Sequence, residues 1–262
     1  ADDLGRLPDS HVLKTFEWLL APNGNPALAP DIINNSWSGI GTKTIFVESI
    51  ATLHAAGIFT VFAAGNTGPF AQTIGSPASY TDTLAVAANG PDERIAMFSS
   101  RGPSPLTESQ QPQISAPGVG VFSSYLDGQY AVFNGTSMAS PHVAGAIALL
   151  LEADPTLTRE EIFGLLQETA VPIAAEHPNN DSGYGRLDIY AAVSRVVPHA
   201  PLTGQVLQPD GTPMVNASLV ITTPSGIGLP FVTDETGRYH APLQPGSYTV
   251  SAEPFGVERY ES

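Results

Sequence analysis

The stretch FNGTSMASPHVAGAIALL, residues 133–150, places a lone serine, Ser137, at the mouth of a long apolar run. Gly135 lies just before it, and the apolar pattern ends at Glu152 and Asp154. The run is shorter than the roughly 20 residues that a bilayer span needs. We therefore predict a buried core helix that begins beside Ser137.

A hydroxyl at a helix start lies among backbone N–H groups that have no partner inside the helix, at the positive end of the helix dipole. The simplest interpretation is an N-cap, which Thr136 could supply as well as Ser137. The alternative is a nucleophile whose own N–H helps to bind an oxyanion, while Gly135 lets another backbone approach closely. The residues by themselves leave both interpretations open.

The composition sets the class of protein. The chain has 262 residues, 42% of them hydrophobic and 13% charged, which is enough for one large domain or for a medium and a small one. A net charge of −15 and the lack of a Lys/Arg cluster argue against a nucleic-acid partner. No apolar run is long enough for a membrane span, and the absence of cysteine excludes disulfides and thiolate metal sites.

Residues 1–197 alternate helical and extended patterns. Strands are predicted within residues 31–37, 58–65 and 83–88, and helices within residues 10–20, 45–56, 158–167 and 187–197. Ser10 is a plausible N-cap, Gly57 a left-handed C-terminal residue, and Thr158 with Glu161 a capping box. We predict an α/β domain with a mostly parallel sheet and helices on both faces.

The pattern changes near Pro198. Short β-prone runs separated by turn signals such as Asp210-Gly211 replace the helical periodicity. Residues 198–262 are therefore predicted to form a small, all-β, sandwich-like module of about five strands, which is few for a complete sandwich and favours a truncated one.

Several motifs resemble those of one family. NGTSMASPHVAG (134–145) is similar to the nucleophile motif of the subtilisin-like serine peptidases, the subtilases. Further segments follow in that family's order: INNSWSG (33–39), AAGNTG (63–68), FSSRGP (98–103), SAPGVGVFS (115–123) and GYGRLDIYAAV (183–193). The resemblance covers residues 1 to about 197, and it implies the subtilisin-like fold and a serine endopeptidase.

The resemblance also implies roles for individual residues. Ser137 would form the acyl-enzyme, and Asn66 would donate its side-chain amide to the oxyanion; read alone, Asn66 would be an ordinary turn residue. Other residues would bind an extended polypeptide substrate, either as a paired backbone strand or as walls of the primary specificity pocket. These substrate-binding residues are Ser36, Trp37, Ser38, Gly39, Ala63, Ala64 and Gly65.

The family's Asp and His motifs do not precede Ser137 here. Asp181-Ser182-Gly183 spells the aspartate motif but follows Ser137, and we predict a turn there. His142 lies five residues after Ser137, about 140° away around a regular helix, and is predicted to be structural. We therefore expect the later part of a catalytic domain, whose Asp and His lie in an upstream segment that completes the fold and the triad. The chain alone is expected to be inactive.

Residues 204–256 resemble the carboxypeptidase regulatory-like (transthyretin-like) β domain, with fibronectin-like modules as the rival. A peptidase joined to such a module suggests a secreted or cell-surface protein. No cofactor is expected for the chemistry. Structural calcium is common in the family, but no acidic loop marks a site, so no metal ligand is assigned.

Two other functions compete with the peptidase interpretation. One is a non-catalytic relative, a peptide-binding scaffold or pseudopeptidase whose triad has decayed, and the presence or absence of the upstream Asp and His motifs would distinguish it. The other is an α/β-hydrolase, which requires a Gly-x-Ser-x-Gly motif after a strand. That motif is absent from the sequence, so this class is discounted.

Overall fold

The computed structural model describes residues 8–39, 41–197, 200–243 and 246–253. The chain divides into two compact units between Val196 and Val197. The domain boundary predicted from sequence lies between residues 197 and 198, and residues 198 and 199 fall outside the described ranges.

A four-stranded parallel sheet forms the centre of the first unit, in the order β1-β2-β3-β4. Its strands are β1 (Ile32–Asn35), β2 (Phe59–Ala63), β3 (Leu84–Asn89) and β4 (Ile114–Pro117). Every residue of β2 and β3 is buried, as expected for parallel strands with both faces covered. The three predicted strands are confirmed; the segment that forms β4 was identified only as a family signature.

Five helices surround this sheet: α1 (Asp9–Leu20), α2 (Val47–Ala55), α3 (Thr136–Ala153), α4 (Arg159–Glu168) and α5 (Ile189–Val196). The capping box of α4 is confirmed, and Gly57 follows α2 with φ of +83°. The N-cap predicted for α1 is wrong. Pro8, whose ring holds an extended conformation, precedes the helix, and Ser10 lies inside it.

The two faces of the sheet bury separate cores. Val61 and Val86 pack with Ile147 of α3 and Leu166 of α4, and Phe62 packs on the opposite face with residues of α1 and α2. The alternation between Val61 and Phe62 follows from the two-residue period of a strand. The predicted α/β architecture, with helices on both faces, is confirmed.

An antiparallel hairpin that was not predicted leads into α3. It consists of β5 (Val121–Ser124) and β6 (Tyr130–Phe133). Phe122 and Tyr130 stack on its exposed face, with ring centroids 5.1 Å apart. Asp127-Gly128 between the two short runs was the signal that could have revealed it.

The second unit is all-β. Its described strands are β7 (Ala200–Gln205), β8 (Ser218–Thr222), β9 (Gly228–Val232), β10 (Arg238–Leu243) and β11 (Thr249–Glu253). They form two antiparallel sheets, β10-β7 and β11-β8-β9, around a small core that includes Ile221 and Ala241. The predicted β module is confirmed. Among the helices of the described ranges, none has the length and apolar character needed to cross a membrane.

Candidate active site

Helix α3 begins directly after a glycine in an unusual conformation. Gly135 has φ of +154° and ψ of 158°, which L side chains rarely adopt, and its N–H donates to the Gly118 carbonyl at 2.8 Å. Ser137 is therefore the second residue of α3, half-buried within the first turn. Its side chain makes no capping bond to the helix backbone, so the N-cap interpretation does not describe Ser137.

The cap of α3 comes instead from Asn66, in the loop after β2. Asn66 Oδ1 accepts hydrogen bonds from the Thr136 N–H at 3.0 Å and from the Thr136 hydroxyl at 2.9 Å. The Gly65 N–H in turn donates to Thr136 Oγ1 at 3.2 Å. Because both bonds require the amide oxygen on the helix side, Asn66 Nδ2 is the free end, and it makes no hydrogen bond to any residue in the described ranges.

A second network connects the end of β1 to the same helix turn. The Ser36 hydroxyl donates to the Ser137 carbonyl at 2.8 Å, and the Ser137 hydroxyl donates to the Ser36 carbonyl at 3.0 Å. Asn34 Nδ2 donates to Ser36 Oγ at 2.9 Å, and Asn34 Oδ1 accepts from Ser140 at 2.5 Å. Asn34 and Ser140 were not predicted as site residues. The two adjacent asparagines that end β1, Asn34 and Asn35, were the available signal.

A pocket of about 390 Å³ opens beside Asn66. Ser38, Gly39 and Gly65, three of the predicted substrate-binding residues, line it. The other lining residues are Gly41, Thr42, Thr67, Gln72, Thr73, Ile74, Gly75 and Pro105. All lining residues are uncharged, so local electrostatics come from amide dipoles and from the nearby helix N-terminus.

Other predicted substrate-binding residues point their side chains elsewhere. The Trp37 ring packs edge-on against Phe46 and Phe62, and its Nε1 donates to Asn35 Oδ1. Ala63 and Ala64 are buried, with 1% and 0% of their surface exposed, and do not line the pocket.

Gly39 was predicted to pair its backbone with substrate, but its N–H and carbonyl already bond to Ser76. Gly39 therefore forms part of the pocket wall, because Ser76 already occupies its backbone hydrogen-bonding groups.

The described residues offer Ser137 no general base. His142 lines a surface pocket with Ser137, but its Nδ1 bonds to the Met138 carbonyl at 2.8 Å, and no hydrogen bond joins it to Ser137. Asp181 pairs with Arg101, in a turn where Asn179 Oδ1 accepts from the N–H groups of residues 181 and 182. The predicted turn is confirmed.

Across the described ranges, no three or more His, Asp or Glu side chains come together in a way that could hold a metal ion. These described residues therefore offer no carboxylate-rich calcium site, and structural calcium stays a prediction without assigned ligands.

Two family models match the chain, one in each of its two units. Residues 3–185 match the model of the subtilase family, and residues 201–262 match the carboxypeptidase regulatory-like domain. Bacillopeptidase F of Bacillus subtilis (strain 168) is 39% identical over 207 residues, covering 72% of this chain and 14% of that protein.

Two further relatives show the same partial coverage. Subtilisin DY of Bacillus licheniformis is 42% identical over 142 residues, covering 53% of this chain and 49% of its own length. Serine protease AprX of Bacillus subtilis (strain 168) is 34% identical over 203 residues, covering 67% and 45%. The chain thus spans less than half the length of each of these relatives.

Proposed function

Because the chain belongs to the subtilase family, we propose that it is part of a serine endopeptidase in which Ser137 is the nucleophile. One observation carries this proposal. Two hydrogen bonds from Thr136, the residue before Ser137, hold the Asn66 amide oxygen against the first turn of α3. They leave the amide N–H₂ of Asn66 free. A nucleophile and an oxyanion donor from distant parts of the chain thus share one helix N-terminus.

The arrangement suits acyl transfer. Attack of Ser137 Oγ on a peptide carbonyl forms a C–O bond and moves negative charge onto the carbonyl oxygen. The N–H of Ser137, unpaired as the second in its helix, and Asn66 Nδ2 supply two donors for that charge. The base that takes the Ser137 proton passes it to the amide nitrogen, so that collapse of the tetrahedral intermediate breaks the C–N bond and releases the amine half of the substrate. Water then hydrolyses the Ser137 ester.

Transfer of the Ser137 proton needs an imidazole, and the imidazole needs an orienting carboxylate. We propose that both come from a segment outside these 262 residues. In the described part of the chain, β1 is one of the two edge strands of the sheet, and it ends one residue before Ser36, which bonds to Ser137. A segment paired along this edge would carry its side chains to the nucleophile, and the Ser137 hydroxyl would turn from the Ser36 carbonyl to the base.

A peptide-binding scaffold is the second candidate, favoured by the lack of a base near Ser137 among the described residues. The uncharged pocket beside Asn66 would then hold an extended polypeptide without cleaving it. For either function we propose an extracellular location, because the chain is acidic, with a net charge of −15, and joins a subtilase unit to a carboxypeptidase regulatory-like domain.

Labelling with a fluorophosphonate tests the catalytic proposal. The protein that contains this chain together with the base-bearing segment should form one adduct, mapped by mass spectrometry to Ser137 and absent from Ser137→Ala. Peptide hydrolysis should be lost in the same variant. Peptide binding without an adduct would support the scaffold instead, and an adduct at another serine would refute the role of Ser137.

A further inference from the structure

One polar side chain in the pocket beside Asn66 has no partner. The Ser38 hydroxyl makes no hydrogen bond to any residue that the structure describes, although Ser38 is half-buried. It lies against Gly75, where a Cβ would overlap the hydroxyl, and a Cβ on Gly65 would come within 3.3 Å of it. The hydroxyl therefore fills space that two glycines leave open on the pocket wall.

The other hydroxyls around the pocket are already engaged or solvated. Thr67 Oγ1 donates to the Thr73 carbonyl at 3.1 Å, and Thr73 Oγ1 donates to the Phe70 carbonyl at 2.8 Å. Thr42 has no side-chain bond to a described residue but is exposed. When a ligand enters the pocket, the Ser38 hydroxyl therefore exchanges solvent for the ligand and breaks no hydrogen bond to a described residue.

The pocket adjoins the proposed reaction centre. Asn66 belongs to both its lining and the oxyanion donor pair, and Gly65 donates to Thr136 beside Ser137. A carbonyl oxygen bound by Asn66 would therefore place the side chain of the same substrate residue beside this pocket. Gly39, Gly65 and Gly75 provide flat walls, and Ile74, 2% exposed, provides an apolar surface.

We propose that the Ser38 hydroxyl is a specificity determinant, selecting an uncharged polar side chain such as Asn or Gln at the cleaved residue. This inference rests on the proposed peptidase function. An amide can donate to and accept from the hydroxyl, whereas an apolar side chain of the same shape would bury the hydroxyl without a partner. A charged side chain would find no counter-charge among the lining residues.

Matched substrates test the proposal in the protein that contains this chain together with its base-bearing segment. Two peptide pairs differ only at the cleaved residue, Asn against Leu and Gln against Met. We expect kcat/KM to favour Asn over Leu, and Ser38→Ala to lower that ratio about 10-fold, the range for one lost hydrogen bond to substrate. Ser10→Ala, which removes an exposed hydroxyl of α1 that does not line the pocket, should leave the ratio unchanged.

A ratio of rates on one enzyme is insensitive to how much of a variant is folded. An unchanged Asn-to-Leu ratio in Ser38→Ala, or an equal fall in Ser10→Ala, would overturn the role of Ser38 and leave the peptidase function standing. The same ratio, measured as dissociation constants of the four peptides on Ser137→Ala, reads pocket selectivity without catalysis. It separates failure of the inference from failure of the proposed chemistry.

Discussion

Ser36 and Ser137, 101 positions apart, exchange two hydrogen bonds, each hydroxyl donating to the other residue's carbonyl at 2.8 and 3.0 Å. The bond from Ser36 fixes the first turn of α3 to the end of β1. In the proposed mechanism, the bond from Ser137 gives the hydroxyl proton a resting acceptor that a base must displace. The same pair of bonds would therefore position the proposed nucleophile and hold it in an unreactive orientation until the base binds.

The first prediction concerns Ser36→Ala, in the protein that carries the base. The variant keeps the carbonyl that accepts from Ser137 but loses the bonds to the Ser137 carbonyl and to Asn34. We expect the free energy of unfolding to fall by about 1 kcal/mol, and kcat to fall more than KM changes, because the helix turn loosens. Urea unfolding and steady-state kinetics measure both.

Ser36→Thr is the matched control, because it retains the hydroxyl and should recover most of kcat. A kcat unchanged in Ser36→Ala would show that the bond between Ser36 and the Ser137 carbonyl does not position the nucleophile.

The second prediction separates the two ends of the Asn66 amide. Asn66→Asp keeps an acceptor for Thr136 but loses the free N–H₂, whereas Asn66→Ala loses both. We expect both variants to lower kcat by about 10²–10³ with little change in KM, the range known for one such donor in subtilisin, a relative of this chain. Only Asn66→Ala should also destabilise the fold, by about 1 kcal/mol through the lost cap.

A variant that loses affinity while keeping its turnover would instead place Asn66 in ground-state binding of the substrate. Equal stability of the Asp and Ala variants would show that capping by Asn66 does not stabilise α3.

The sequence predicted the parts of this site that depend on local pattern. Gly135 and the apolar run after Ser137 are enough to predict a helix start, and the order of the motifs implied Asn66. The sequence did not show that Asn66 caps α3, since that bond spans 70 positions and depends on how β2 and α3 pack.

Side-chain direction was the other thing the sequence did not reveal. Trp37 and Ser38 are neighbours in the segment after β1, and one side chain packs into the core while the other lines the pocket. Which of the two faced the pocket depended on the register with Gly75, a tertiary contact.

The third prediction concerns acid sensitivity and His54 in the first unit. Burial, followed by the charge of Arg159, lowers the pKa of His54 to about 4, against opposing effects of Asp82 and Glu160. Its Nε2 lies 2.7 Å from Thr60 Oγ1. Because the unfolded chain takes up a proton near pH 6.5 and the folded chain does not, stability is present above pH 6.5 and falls toward pH 4. We expect His54 to account for a loss of about 1–2 kcal/mol, limited by its partial solvation.

Urea unfolding of the 262-residue chain at several pH values between 4 and 7.5 measures this loss. His54→Gln, which retains a group able to bond to Thr60 but does not titrate, should flatten the curve over that interval. His11→Gln, a substitution at an exposed histidine of α1, is the control and should leave it unaltered. Parallel curves for wild type and His54→Gln would contradict the assignment.

The fourth prediction is that the 262-residue chain alone does not hydrolyse peptides, and that the missing base is a sufficient cause. A serine hydroxyl is almost wholly un-ionised at neutral pH. The helix dipole stabilises its ionised form by about 0.3–2 kcal/mol, whereas a general base raises the rate roughly 10²–10⁴-fold, which corresponds to about 3–5 kcal/mol. His142 does not substitute, since its Nδ1 is bonded to the Met138 carbonyl rather than to Ser137.

Circular dichroism confirms folding before a chromogenic peptide is assayed, and turnover should equal that of Ser137→Ala. Turnover abolished by both Ser137→Ala and His142→Ala would identify His142 as the base, whereas activity that appears only when the base-bearing segment is added would support the proposed division of the triad.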